Sequence, residues 1–334
     1  MKAIGYTRAG DVDVLSDISV ETPVPGPRDL LVAVKAVSVN PVDTKVRGNA
    51  APTGDAPKIL GYDAAGIVQA TGSDVSLFKV GDEVFYSGSI DRQGANAEFH
   101  LVDERIVGRK PATLSFGEAA ALPLTALTAW ELLFDRLRVP YGAKTAPGAL
   151  LIINGAGGVG SILIQLARRL TGLTVIATAS RPETKAWVEQ MGAHHCIDHH
   201  APIDQGVRDL GIAHVDYVAG LTGTDVHLAE IAEIIAPQGH LSLIDDVALD
   251  IGILKPKSVS VTWEMVFTRP LFGTADMIAQ HHILNEVSAL VDAGVLRTTL
   301  TEEAGPITAA NLRAVHRKIE QGKTIGKVTL SGFA

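Results

Sequence analysis

The stretch Asn154-Gly155-Ala156-Gly157-Gly158-Val159-Gly160 stands between an apolar, strand-like run, Ala149 to Ile153, and an amphipathic helical pattern from Ser161 to Leu170. Glycines in that setting are what a dinucleotide-binding turn requires. Gly155 is expected to let the chain turn sharply out of the strand, Gly157 to let backbone approach a pyrophosphate, and Gly160 to let helix and strand pack closely. The helix N-terminus then offers N–H groups and a partial positive charge to phosphates, so Ala156, Gly158 and Val159 join the cofactor-binding set. Taken alone, the same glycines read as a surface turn. The strand before them and the spacing of Leu163, Leu166, Ala167 and Leu170 after them favour the dinucleotide reading.

Outward from this point, the pattern from Pro123 alternates helices and strands. A helix is expected at Thr125 to Phe134. Strands are expected at Ala149 to Ile153, Thr174 to Thr178, Cys196 to Asp198, Val215 to Val218, His240 to Ile244 and Val259 to Trp263. Helical patterns between most of them argue for βαβ units and a parallel sheet covered on both faces. Gly192 is placed to stop one helix and Pro237-Gln238-Gly239 another. The first third is β-rich: Ala3 to Thr7, Leu30 to Val39, Gly66 to Thr71, Val80 to Tyr86 and Ala97 to Val102 are short β-branched runs separated by turn signals. After Thr268 come two helices, Asp276 to Asp292 and Thr308 to Gln321, and a strand, Ile325 to Leu330. That is too little for a domain, so the tail is expected to pack on the N-terminal part. The expected fold is α/β, with a doubly wound Rossmann domain (125–267) inserted into a β-rich catalytic domain built from 1–124 and completed by 268–334.

Length and composition agree. The 334 residues favour two domains, and 46% hydrophobic with 20% charged residues is a globular composition. A net charge of −8 with no basic block argues against nucleic-acid binding as the main task. No signal-peptide pattern and no membrane-spanning apolar run is seen, so a cytoplasmic location is the expectation. Cys196 is the single cysteine, which excludes an intrachain disulfide and a Cys-rich structural zinc site.

Several motifs recur together: Ser38-Val39-Asn40-Pro41-Val42-Asp43, Leu60-Gly61-Tyr62-Asp63-Ala64-Ala65-Gly66, Val80-Gly81-Asp82-Glu83-Val84, Ala121-Leu122-Pro123, Leu127-Thr128-Ala129-Trp130 and the glycine turn. Over nearly the whole chain they resemble the medium-chain dehydrogenase/reductase superfamily, in its zinc-independent quinone oxidoreductase and zinc-type alcohol dehydrogenase-like branch. The resemblance implies a GroES-like N-terminal domain, the inserted Rossmann domain, and a homodimer formed through the sheet edge near Val259 to Trp263. It also implies that Asn40 and Thr128 lie near the nicotinamide, Tyr62 on the cleft wall and His199 near the adenosine phosphate. Leu221 and Ile244 complete the expected cofactor contacts.

Departures from the zinc alcohol dehydrogenases shape the expected chemistry. Catalytic zinc in those enzymes takes two Cys and one His, and at the matching positions this chain carries Asn40, Tyr62 and Leu124. No metal is therefore expected. His194-His195-Cys196-Ile197-Asp198-His199-His200 is rich in metal-capable side chains, but strand alternation sends neighbours to opposite faces.

The second Rossmann strand runs through Ala179 into Ser180-Arg181-Pro182-Glu183, with no acid at its end to accept the ribose hydroxyls of NAD. Ser180, Arg181 and Lys185 are suited to a 2′-phosphate, which favours NADPH; Glu183 counts against it. Without zinc, an isolated ketone lacks a strong electrophile on its oxygen. A quinone, enone or alkenal needs less help, because hydride addition gives a delocalised anion. The candidate catalytic polar groups are Asn40, Asp43, Tyr62 and Lys45, the last standing where, by the resemblance, quinone reductases often carry Tyr. Tyr62 either donates to the substrate oxygen or fills the volume left by a metal, and Asp43 either acts or holds its loop. Trp263 and Phe267 are candidates for an apolar pocket or for core. The leading reading is an NADPH-dependent reductase of small quinones, enones or alkenals. The alternatives are a catalytically weak NADPH-binding sensor or structural protein, and an enoyl-thioester reductase, for which no clear basic path is seen.

Overall fold

The computed structural model describes residues 1–52, 54, 56–145 and 148–333. The chain divides into two compact units, Met1–Leu127 with Phe267–Ala334, and Thr128–Val266.

The second unit is built on a six-stranded, all-parallel sheet. Its order is His195–Ile197, Thr174–Thr178, Ala149–Ile153, Val215–Gly220, Ile235–Leu243, Ser260–Trp263, so the order reverses beside the strand that precedes the glycine turn. That is the doubly wound arrangement, whose ligands lie beyond the carboxyl ends of the strands. The central strand Ala149–Ile153 is buried at every position, as a strand covered on both faces must be. Around it Leu151, Ile153, Ile176, Val218, Ile231 and Leu241 form the core.

Two local expectations are corrected. The helix Thr224–Ile234 ends before Pro237-Gln238-Gly239, which lies inside the strand Ile235–Leu243. Gln238 has φ 62°, and the pairing slips between Val215 and Tyr217, so the dipeptide Pro-Gln makes an irregularity in the strand rather than a helix stop. The helical run after Pro123 is also longer than expected and changes type: an α-helix at Pro123–Trp130 continues as π-helix over Glu131–Arg136. Gly192 caps its helix in the left-handed conformation, φ 111°.

The first unit carries a seven-stranded sheet around the long strand Asp29–Ser38, and a smaller three-stranded sheet. The C-terminal segment belongs to this unit: Lys327–Ser331 runs antiparallel to Asp29–Ser38, with Thr329 opposite Ser38. The buried Arg47, on the helix Pro41–Asn49, reaches His316 Nδ1 at 3.0 Å on the helix Ala309–Glu320 and pairs with Glu320. No helix among the described residues is long and apolar enough to cross a membrane.

Candidate active site

In the nucleotide-binding unit the glycines do different work. Asn154, not Gly155, takes the left-handed conformation (φ 60°) that turns the chain out of the strand. Asn is among the few residues other than glycine that visit this conformation routinely, and here its side chain is held by donating to Thr222 O at 2.8 Å, 68 residues further along the chain. Gly155 is needed for closeness: a methyl there would lie 2.9 Å from Ala177 Cβ. At Gly160 a methyl would lie 2.4 Å from Gly155 O, whereas at Gly157 it would meet nothing within 4 Å. The turn is thus packed on one side and open on the other. Gly157 is also the N-cap of the helix Gly158–Leu170 and offers no side-chain cap, so the first amides of the helix, including those of Gly158 and Val159, are not covered by a capping side chain. This suits a bound phosphate.

Beside the turn, buried Thr178 accepts from Asn154 N at 2.8 Å, and its hydroxyl lies 3.2 Å from His199 Nδ1. Thr178 was not apparent from sequence, where it is one β-branched residue in a strand. Arg181 precedes the helix Pro182–Met191 and pairs with Glu183 at 3.2 Å, and Lys185 pairs with Asp198 at 3.1 Å. Both cations are therefore shared with carboxylates. Leu221 and Ile244 follow the carboxyl ends of their strands, with Ile244 N donating to Gly220 O at 3.0 Å. Thr128 is buried on the helix Pro123–Trp130.

The side chains of the His-rich segment go to separate partners: His194 to Arg168 and Val175 N, His199 to Thr178, Asp198 to Lys185. Among the described residues no group of three or more His, Cys, Asp or Glu is placed to hold a metal ion.

In the first unit, Asn40, Asp43 and Tyr62 lie in one buried region with two partners that sequence reading missed, Asp63 and Lys327. Asp43 holds its loop: its oxygens accept from Asn40 N at 2.8 Å and Gly61 N at 3.0 Å. Burial pushes the Asp43 carboxyl up to about 7, against the pull of those two N–H groups and of Lys327. Asp63 is the centre of the cluster. It accepts from Leu124 N at 2.7 Å, Asn40 Nδ2 at 2.7 Å and Lys327 Nζ at 3.0 Å. Burial raises its pKa, while the lysine and these hydrogen bonds oppose the rise. The available sequence signals were an Asp among apolar residues beside Tyr62, and a Lys within the strand pattern near the C-terminus. Lys45 is exposed on the helix surface.

Tyr62 is completely buried and meets Phe267 edge-on, with ring centroids 5.3 Å apart. Burial raises its pKa, so the phenol stays protonated. Among the described residues its hydroxyl has no hydrogen-bond partner. Leaving such a group unsatisfied costs about 1–3 kcal/mol. Phe267 is therefore core, while Trp263, at 53% exposure, is surface.

A parallel nucleotide-binding sheet carried by a β-rich unit to which the C-terminus returns is a dehydrogenase-type architecture. Comparison with known proteins narrows it. Residues 26–123 match the alcohol dehydrogenase GroES-like domain and residues 191–330 match the zinc-binding dehydrogenase domain. A zinc-type alcohol dehydrogenase-like protein of Staphylococcus aureus (strain MSSA476) is 41% identical over 99% of this chain and 100% of its own. A structure from Rhizobium etli CFN 42, described provisionally as a zinc-dependent alcohol dehydrogenase, is 58% identical with TM-score 0.96, covering 100% of this chain and 98% of that one. Escherichia coli quinone oxidoreductase, solved with NADPH, is 26% identical with TM-score 0.84, covering 99% and 100%. The chain belongs to the medium-chain dehydrogenase/reductase superfamily of oxidoreductases, among its zinc-type alcohol dehydrogenase-like proteins.

The zinc in that family name does not fit the residues present. Asn40 has its amide engaged by Asp63 and Lys327, Tyr62 is a protonated phenol, and Leu124 has no side-chain donor atom. An ammonium group already bonds to both Asn40 and Asp63. Zinc asks for Cys, His or free carboxylate ligands in tetrahedral array, and this cluster supplies none.

Proposed function

We propose that this protein is an NADPH-dependent oxidoreductase that transfers hydride, without a bound metal, to a quinone or to an α,β-unsaturated carbonyl such as an enone or alkenal. The observation that carries the proposal is the buried, protonated and unpartnered hydroxyl of Tyr62 at a position where a zinc dehydrogenase would carry a ligand. A substrate oxygen hydrogen-bonded to Tyr62 would satisfy it.

The residues that would hold the cofactor are the open backbone at Gly157, the uncapped helix start at Gly158 and Val159, and a 2′-phosphate group of Ser180, Arg181, Lys185 and His199. Thr128, Leu221 and Ile244 complete the set, with Gly155 and Ala156 shaping the turn. NADPH when bound supplies a hydride. The protein's part is to position the acceptor and to stabilise the oxygen that gains charge. Tyr62 donates to that oxygen and Asn40 lies in the same buried region, while Asp43 keeps the Asn40 loop in place. One or two such donors suffice for a delocalised enolate or hydroquinone anion, where an isolated ketone needs a stronger electrophile.

The NADPH preference is supported by the absence of a carboxylate at the end of the strand Thr174–Thr178. A homodimer through the open edge of Ser260–Trp263, the last strand of its sheet, is part of the same reading. The direct test is oxidation of NADPH, and separately of NADH, against a panel of quinones, enones, alkenals and simple ketones. Turnover of the activated substrates with NADPH is expected. Turnover confined to simple ketones or alcohols overturns the proposal, as does complete inactivity with every member of the panel.

A further inference from the structure

We propose that Lys327 and Asp63 are positioning residues that lock the side-chain amide of Asn40, so that one of its two Nδ2 protons is held ready for a ligand oxygen. The inference rests on the reductase reading above and extends it to residues that touch neither substrate nor cofactor.

The argument is one of donors and acceptors. Lys327 is buried, and its ammonium group has three protons and no lone pair. The three acceptors around it are Val39 O at 3.1 Å, Asp63 Oδ2 at 3.0 Å and Asn40 Oδ1. The Asn40 atom facing the ammonium must therefore be its carbonyl oxygen. On its other side Asn40 faces Asp63 Oδ2 at 2.7 Å, and a carboxylate accepts only, so that atom must be Nδ2. Turning the amide over would set NH2 against ammonium and carbonyl oxygen against carboxylate. The orientation is thus dictated from both sides.

Neither partner is free to follow a rotating amide. Asp63 is tied at its other oxygen by Leu124 N at 2.7 Å. Lys327 begins the strand whose ladder pairs Thr329 with Ser38, two residues from Asn40. The carboxylate and the ammonium cancel, so the cluster presents a neutral N–H from a fixed frame. Asn40 Nδ2 carries two protons and Asp63 takes one. The remaining proton suits an oxygen that becomes negative during reaction, because a preoriented donor needs no reorganisation as charge develops.

The test uses the paired variant Asp63→Leu/Lys327→Met. Removing both charges of a buried ion pair is tolerated far better than removing one, so the protein is expected to fold and to keep its affinity for NADPH. Its kcat for quinone reduction should fall by about tenfold to a hundredfold, the scale of losing a preoriented donor, with a smaller change in KM. In an Asn40→Leu background the same paired change should produce no further fall in kcat. Equal losses in the two backgrounds would mean that Lys327 and Asp63 act through general packing, which overturns the proposal. A second measurement is independent of turnover and of that variant's folding: proton exchange at the Asn40 side-chain amide in 15N-labelled wild-type protein. One slowly and one rapidly exchanging proton are expected; two protons exchanging alike overturn it. If the wild type reduces no substrate yet shows the unequal pair, the reductase reading has failed and the positioning has not.

Discussion

The two units build their candidate sites from different parts of the chain. In the second unit the candidate site is backbone: Asn154 to Gly160 are consecutive, and which positions lack a side chain decides how closely the turn packs. In the first unit it is a cluster of side chains brought together from Asn40, Asp63 and Lys327, the last 287 residues from the first. A local motif announces itself in sequence. A cluster assembled by strand pairing does not, and that difference also decides how each fails when altered.

The largest expected effect is in the side-chain cluster. Lys327→Met alone leaves Asp63 charged and buried, which should cost about 3–5 kcal/mol of stability, read from denaturant unfolding. The paired Asp63→Leu/Lys327→Met variant should recover most of that loss.

The next prediction contrasts the units through pH. Burial raises Asp43 to about 7 in the first unit. In the second, burial and the neighbouring Glu131 raise Glu264 to about 8, opposed by Arg136, whose Nε donates at 2.8 Å. Both folded values lie above the ordinary 3.8 and 4.5 of these groups, so the folded protein holds protons that the unfolded chain releases. The resulting stability is complete below about pH 4 and is lost as pH rises through 7 and 8. Burial lowers His100 to about 4 and His316 to about 3, which makes stability rise with pH up to the range of an ordinary imidazole, so thermal unfolding should show the acids' effect as falling stability between about pH 7 and 8. Glu264→Gln, which mimics the protonated acid, should flatten the upper step alone. A wild-type profile that rises between about pH 7 and 8, above the range of the histidines, would contradict the burial of these acids.

Within the nucleotide-binding turn, Gly160→Ala should destabilise by about 1–3 kcal/mol, because the new methyl meets backbone that cannot move aside. Gly157→Ala should leave the melting temperature unchanged and weaken NADPH binding. If the two variants behave alike, the division of the turn into a packed and an open side is wrong.

Tyr62→Phe is expected to lower kcat about tenfold, equivalent to about 1.4 kcal/mol in the transition state. It should also leave the ligand-free protein as stable as wild type or more so, since it removes a buried hydroxyl with no partner. Unchanged kinetics would reduce Tyr62 to a space-filling role. The smallest effect is at Arg181→Ala, about 1 kcal/mol in NADPH affinity with NADH unchanged, because the guanidinium is partly exposed and shared with Glu183. Equal losses for both cofactors would remove the 2′-phosphate assignment.

The same contrast explains what was legible in the sequence. Ala149–Ile153 and Thr174–Thr178 were readable to the residue because apolar β-branched runs bounded by glycine and turn signals have few alternatives. The return of the C-terminal strand was readable from resemblance and from a tail too short to form a core. Pro237-Gln238-Gly239 misled because proline and glycine mark a helix end and a strand irregularity with the same letters. The role of Gly155 was misassigned because composition shows where a side chain is missing, not whether conformation or contact requires its absence. Asn40, Asp43 and Tyr62 were visible as polar residues in apolar motifs. Their partners were not, because the strand pairing that carries Lys327 beside Asn40 has no signature in local sequence.

The central claim is that the buried amide and phenol of the first unit have taken the place of a metal. It is tested most directly by NADPH-dependent quinone reduction in protein exhaustively treated with chelator, with metal content measured on the same sample. Full activity in metal-free protein, unchanged when zinc is added, is the predicted result. Activity that disappears with the metal and returns with stoichiometric zinc would contradict it.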